Sequence, residues 1–191
     1  MANCFDDVPV ENLDGCLNKE IQAGLSEVNL YYAPHDHILN FPMPLNLGDP
    51  AFDLETSVTI SADITFLEGK GWGKITVQAD TGEGTMDLVG NKGNKKTKNA
   101  LAFYIPGNQK KLLGYVRTYK NIPMVFMYFE RDGQKRLVGD KFNPAYMAEV
   151  KATTGKGGED DKGIQFNVEA YGIPLVYEGD IMLPVAPPVV P

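Results

Sequence analysis

The chain has 191 residues, 43% of them hydrophobic, with 9 Phe, 9 Tyr and 1 Trp, so it can pack one core and is not a disordered chain. No apolar run is long enough for a membrane span, and the acidic start Met-Ala-Asn-Cys-Phe-Asp-Asp lacks the pattern of a secretory signal, which leads us to expect a protein made in the cytosol. The net charge of −7 is uneven: −12 over residues 1–90, +9 over 91–141 and −4 over 142–191, a layout that presents surfaces of opposite sign and argues against a general nucleic-acid grip.

In chain order, Cys4 and Cys16 come first, among Asp6, Asp7, Glu11 and Asp14. Those carboxylates raise a thiol pKa, so a nucleophilic cysteine is not expected; free thiols or a late disulfide both remain open. His35-Asp36-His37 can place two imidazoles on one side of an extended segment, half of a metal site with no further histidine to complete it. From Thr56 to Phe66, Val58, Ile60, Ala62, Ile64 and Phe66 alternate with polar residues, predicting a long one-sided strand. Lys74–Asp80 repeats the pattern. A long connection is expected over Gly82–Asn99, and its Lys-rich stretch Gly90–Lys98 lacks the spacing of a phosphate-binding loop.

Ala100–Ile105 and Pro123–Phe129 have almost no polar position and read as strands buried on both faces. Between them, Asn108 is placed to cap a helix from Gln109 to Tyr119, with Leu112, Val116 and Tyr119 on one face and Pro123 beyond its end. Asp132-Gly133 between two strand-like runs predicts a tight hairpin turn. Tyr146–Thr153 is a weaker strand and Gly163–Gly172 a clear one, with Ile164, Phe166, Val168 and Ala170 inward. The turn between them has three consecutive acids without calcium-loop spacing.

The expected fold is therefore mainly β: an antiparallel sandwich or barrel with one flanking α-helix (about residues 109–120) and long loops at Pro34–Asp53, Gly82–Asn99 and Thr154–Asp161. One domain spans residues 1–191, with an N-terminal arm of about 1–55 and a Pro-rich tail over 184–191. Two adjacent histidines give no Ser-His-Asp arrangement, and the acids fall on loops or wet faces, so no enzyme, cofactor or metal is expected. A carbohydrate-binding sandwich using Trp72, Tyr104 or Tyr128 as stacking platforms is one alternative function.

The order from helix to C-terminus carries a resemblance. A short helix, the apolar strand Met124–Phe129, a tight turn into Leu137-Val138-Gly139 and Phe142-Asn143-Pro144-Ala145-Tyr146 come first. The Gly/Asp/Lys turn and the strand Ile164–Ala170 then lead into Pro174–Gly179. This resembles the tail-tube-type virion proteins of tailed bacteriophages, including those of phages of Bacteroidetes. The likeness implies six-fold rings of β-sandwich subunits stacked into a hollow tail tube through which genomic DNA passes without specific binding. The partners are then further copies of the chain and other virion proteins, with no membrane involved. It also implies a neutral or acidic lining, for which Asp63, Gln78, Asp80, Gln165, Asn167 and Glu169 are the candidate lumen-facing residues, while Lys92, Lys95, Lys96 and Lys98 are candidate inter-ring contacts. A capsid-decorating, connector or neck protein is the alternative of the same kind.

Overall fold

The computed structural model describes residues 24–184, so Cys4, Cys16 and the tail beyond Pro184 lie outside the described residues. Two sheets dominate. The larger contains β1 (Leu25–Pro34), β3 (Thr59–Ile60), β5 (Gly73–Ile75), β8 (Met124–Glu130), β9 (Lys135–Val138) and β12 (Leu175–Tyr177) in the order β3-β12-β9-β8-β1-β5. The smaller contains β6 (Glu83–Val89), β7 (Lys96–Pro106), β10 (Tyr146–Thr153) and β11 (Gly163–Tyr171) in the order β10-β11-β7-β6, antiparallel throughout. β2 (Ile38–Asn40) and β4 (Thr65–Phe66) form a separate ribbon, and α1 (Lys110–Tyr119) is the one α-helix among the described residues. The mainly-β, mostly antiparallel sandwich with one helix is thus the fold the chain adopts.

The six-stranded sheet is the middle layer, because alternate residues of its central strands enter two different cores. Met124, Phe126 and Tyr128 of β8 join Leu101, Phe103, Ile164, Phe166 and Val168 between the two sheets. Val125 and Met127, with Tyr31 and Ala33 of β1, face a second core containing Phe41, Ile60, Ile64, Trp72 and Tyr177. Pro123–Phe129 is doubly buried as its composition predicts, whereas Ala100–Ile105 is not. Within that run only Leu101 and Phe103 are buried; Ala100, Ala102 and Tyr104 lie on the uncovered side. Within the first core Phe103 stacks on Phe166 with centroids 5.0 Å apart, and Tyr115 of α1 meets Phe166 nearly edge-on.

Several segments depart from their pattern for local reasons. Thr56–Phe66 is not one long strand: only β3 and β4 form within it. Its polar residues bond their own backbone instead, with Ser57 donating to Leu54 O (2.7 Å) and Thr59 to Glu55 O (2.8 Å), which competes with a ladder. Lys74–Asp80 keeps Ile75 and Val77 buried but leaves the sheet after Ile75, ending with Asp80 at φ +56°. The expected connection Gly82–Asn99 is the β6–β7 hairpin, in register from Glu83 opposite Ala102 to Val89 opposite Lys96. Leu25–Pro34, read as part of an arm, is β1, paired with β5 and β8.

Gln109 stands at the N-cap of the helix and makes no side-chain cap; Asn108 instead donates to Thr153 O at 2.9 Å, tying the helix start to β10. The Asp132-Gly133 turn forms as a three-residue loop: Gly133 N donates to Glu130 O (3.0 Å), Glu130 N donates to Gln134 O (2.9 Å), and Gly133 takes φ +93°.

Gly139 holds the bridge that links β8 to the start of β10. Its φ is +91°, and a Cβ there would lie 2.7 Å from Ala145 N and 3.0 Å from Met124 O, the two groups that bond each other. A left-handed residue with a side chain costs roughly 1–2 kcal/mol before any clash. Gly139→Ala is therefore expected to lower unfolding free energy by about 2 kcal/mol or more, read from the urea midpoint.

Candidate functional site

The side chains with chemical potential are largely engaged in structure. His35 Nε2 sits 3.0 Å from Lys141 O, and partial burial followed by the charge of Lys70 holds the His37 imidazole below its usual range. No group of three or more His, Cys, Asp or Glu able to hold a metal occurs among the described residues. Trp72 is fully buried and meets Phe66 edge-on at 5.4 Å, so it offers no stacking platform. Its flanking glycines serve close approach: a Cβ at Gly71 would lie 2.6 Å from Leu183 C, and one at Gly73 2.6 Å from the Tyr32 ring. Tyr128 is buried too, leaving Tyr104 half-exposed with its hydroxyl unpartnered in the described residues.

What remains open is the outer face of the four-stranded sheet. Register places Gln165, Asn167, Glu169 and Tyr171 of β11 opposite Tyr104, Ala102, Ala100 and Lys98 of β7. Glu83, Thr85 and Asp87 of β6 flank one side of this face, and Glu149 and Lys151 of β10 the other. Lys98 Nζ lies 2.7 Å from Glu169, whose hydrogen bond raises the lysine pKa, and Lys151 lies 3.0 Å from Glu149. Three of the six candidate lumen-facing residues, Gln165, Asn167 and Glu169, therefore share this face. Asp63 does not: it stands in the loop between β3 and β4 and accepts a hydrogen bond from Asp180 N at 2.7 Å. Gln78 lies beyond β5, its N–H bonded to Tyr104 O, and Asp80 forms an ion pair with Arg131. Lys92, Lys95 and Lys96 cluster exposed at the β6–β7 tip, away from the paired Lys98.

The edges of this sheet are as open as its face. β6 has 7 residues and β10 has 8, and among the described residues each pairs on one side only. The six-stranded sheet ends in β3 and β5, of 2 and 3 residues. Short edges are one protection against unwanted strand pairing; β6 instead carries Glu83 and Asp87, and β10 carries Lys151 and a register shift between Met147 and Glu149.

Large apolar side chains stand exposed around one end of the same sheet. Met86 and Leu88 of β6 are 51% and 64% exposed, and Phe142, Tyr146 and Tyr171 are 73%, 48% and 59% exposed. Phe142 is turned outward because Asp140 Oδ1 accepts the N–H of both Phe142 and Asn143 at 2.7 Å. All of these but Met86 border two surface grooves of about 750 and 510 Å³ that share Asn143 and Tyr171. A separate exposed set, Leu39, Met43, Leu45 and Leu47, lies on the layer beyond the second core. None of these positions stands out in sequence, except that Gly84, Met86 and Leu88 alternate with Glu83, Thr85 and Asp87. Compared with protein families, curated proteins and solved structures, the chain matches none.

The buried tyrosines make the packing sensitive to alkali. Burial pushes Tyr128 up to about 12 and raises Tyr115 further, with Tyr32 also raised by burial and by Tyr119. Because the unfolded chain ionises these phenols near their ordinary value of 10.0, stability is complete below that pH and falls as pH rises toward 12. Urea titrations from pH 9 to 12, followed by phenolate absorbance, are expected to show the last tyrosines ionising only as the fold is lost.

Proposed function

We propose that this chain is a non-enzymatic virion subunit of the tail-tube type, which closes into rings by pairing the free edges of its four-stranded sheet and stacks those rings into a DNA conduit. The observation that carries the reading is the pair of long edges left free among the described residues on a sheet of even strand number. With β10-β11-β7-β6 antiparallel throughout, β10 and β6 run in opposite directions. Copies related by rotation about an axis along the strands keep their direction, so β6 of one copy meets β10 of the next antiparallel and the alternation continues around a closed ring. Closure of this kind removes edges altogether.

The lining supports the same reading. If the outer face of the sheet turns inward, the channel is walled by Gln165, Asn167, Ala100, Ala102, Glu83 and Asp87, with Lys98 and Lys151 neutralised by Glu169 and Glu149. Strong DNA binding needs unpaired Lys or Arg to replace phosphate counterions. Such a wall repels the backbone weakly and lets the duplex slide. In this setting the protein belongs to the virion, is made in the host cytoplasm, and takes copies of itself and other virion proteins as partners.

Light scattering and negative-stain microscopy of the purified chain test this directly. The expected result is rings or tubes, six-fold if the family resemblance extends to symmetry. Thr85→Lys with Ala148→Lys puts a charge on an exposed position of each edge, and is expected to yield monomers with an unchanged urea midpoint. A wild-type chain that stays monomeric at high concentration and low salt contradicts the reading, and a trimer of different symmetry favours a capsid or connector role.

A further inference from the structure

The four-stranded sheet consists of two hairpins whose tips point to opposite ends. Gly163, where β11 begins, pairs with Pro106, while Tyr171, where it ends, pairs with Lys98. The β10–β11 tip (residues 154–162) is therefore at the Pro106 end of β7, and the β6–β7 tip (residues 90–95) at the Lys96 end. The two tips differ in charge. Residues 90–96 contain Lys92, Lys95 and Lys96 and no acid, all three exposed and outside any ion pair among the described residues. Residues 154–162 contain the consecutive acids Glu159, Asp160 and Asp161 together with Lys156 and Lys162, a net charge of −1 against +3 at the other tip.

Beneath the lysine tip lies the groove of about 750 Å³ lined by Leu88, Asn91, Asn94, Lys95, Asn143 and Tyr171, with Leu88 and Tyr171 largely exposed. At the other end, Asp160 Oδ2 accepts the N–H of Lys156 (2.7 Å) and of Gly157 (2.8 Å), which shapes the turn and holds the Asp160 carboxyl below the usual carboxylate range. Asp160 is thus committed to its own loop, and exposed Glu159 and Asp161 are left to face outward.

We infer that this groove and its lysine tip receive the acidic β10–β11 tip of a second copy of the chain, in a head-to-tail contact along the strand direction. Charge complementarity selects the occupant: the groove is rimmed by cations, and the opposite end of the same sheet offers the matching anions. Two different patches that recognise each other form a heterologous contact, which does not close on itself when the copies are displaced along an axis and so generates an open stack. The contact rests on the ring reading for its place in a tube. Lateral closure uses the edges of the sheet, and this contact uses its ends. Its exposed charges make it sensitive to salt over the range in which the Debye length shrinks below about 10 Å.

The test separates this contact from the rings themselves. Lys92→Glu, Lys95→Glu and Lys96→Glu together are expected to leave single rings while cutting stacked rings at least tenfold in micrographs at low salt. Adding Glu159→Lys and Asp161→Lys to that variant restores opposite signs and is expected to restore stacks. Stacks that survive the three lysine reversals, or that fail to return in the five-fold variant, overturn the inference and leave the rings standing. In parallel, carbodiimide cross-linking of mixed ¹⁴N and ¹⁵N wild-type protein reads the contact even where no ring forms. Links between copies joining Lys92, Lys95 or Lys96 to Glu159 or Asp161 sustain it without rings, and their absence overturns it. Wild-type protein that cross-links in this way yet shows no rings overturns the ring reading alone.

Discussion

The constraint on which this structure turns is that backbone N–H and C=O groups along a sheet edge must be satisfied, by water or by another strand. The six-stranded sheet meets it internally, ending in strands of 2 and 3 residues. The four-stranded sheet does not, and leaves 7- and 8-residue strands at its margins. The asymmetry follows from layering. The larger sheet is sandwiched between two cores, whereas the smaller is covered on one face only among the described residues.

The same layering explains where polar and apolar residues stand. Doubly covered strands such as β8 hold Met124 to Tyr128 away from water without interruption. Singly covered strands alternate, with Ile164, Phe166, Val168 and Ala170 inward and Gln165, Asn167 and Glu169 outward. On the inner side of β6, Met86 and Leu88 are left more than half exposed among the described residues. Exposed apolar groups bordered by charge are what a subunit contact requires, and they lie close to Phe142 and Tyr171 at the same end.

Much of this was legible in the residues. β11, the Asp132-Gly133 hairpin, the apolar run of β8 and the helix each announce themselves by period or by turn chemistry. The edge strand β6 did not, because Gly82, Gly84 and Gly90 read as punctuation. Their role is close packing, and a Cβ at Gly84 would lie 2.4 Å from the Tyr128 hydroxyl. Thr56–Phe66 misled in the other direction: its period of two is real, but its Ser57 and Thr59 side chains bond locally and pre-empt the ladder. The candidate lining split for that reason, since Asp63 took its place from a strand that does not form, while Gln165, Asn167 and Glu169 belong to one that does. β1 was hidden because its two faces enter different cores, leaving no alternation to read.

Amide hydrogen exchange along the two edges, measured as protein concentration is raised, tests the central claim most directly. If copies close the sheet, the outward amides of Glu83–Val89 and Tyr146–Thr153 become protected as concentration increases, while those of β8 stay protected throughout. Edges that exchange equally fast at every concentration would mean that water, and not another copy, is their natural partner.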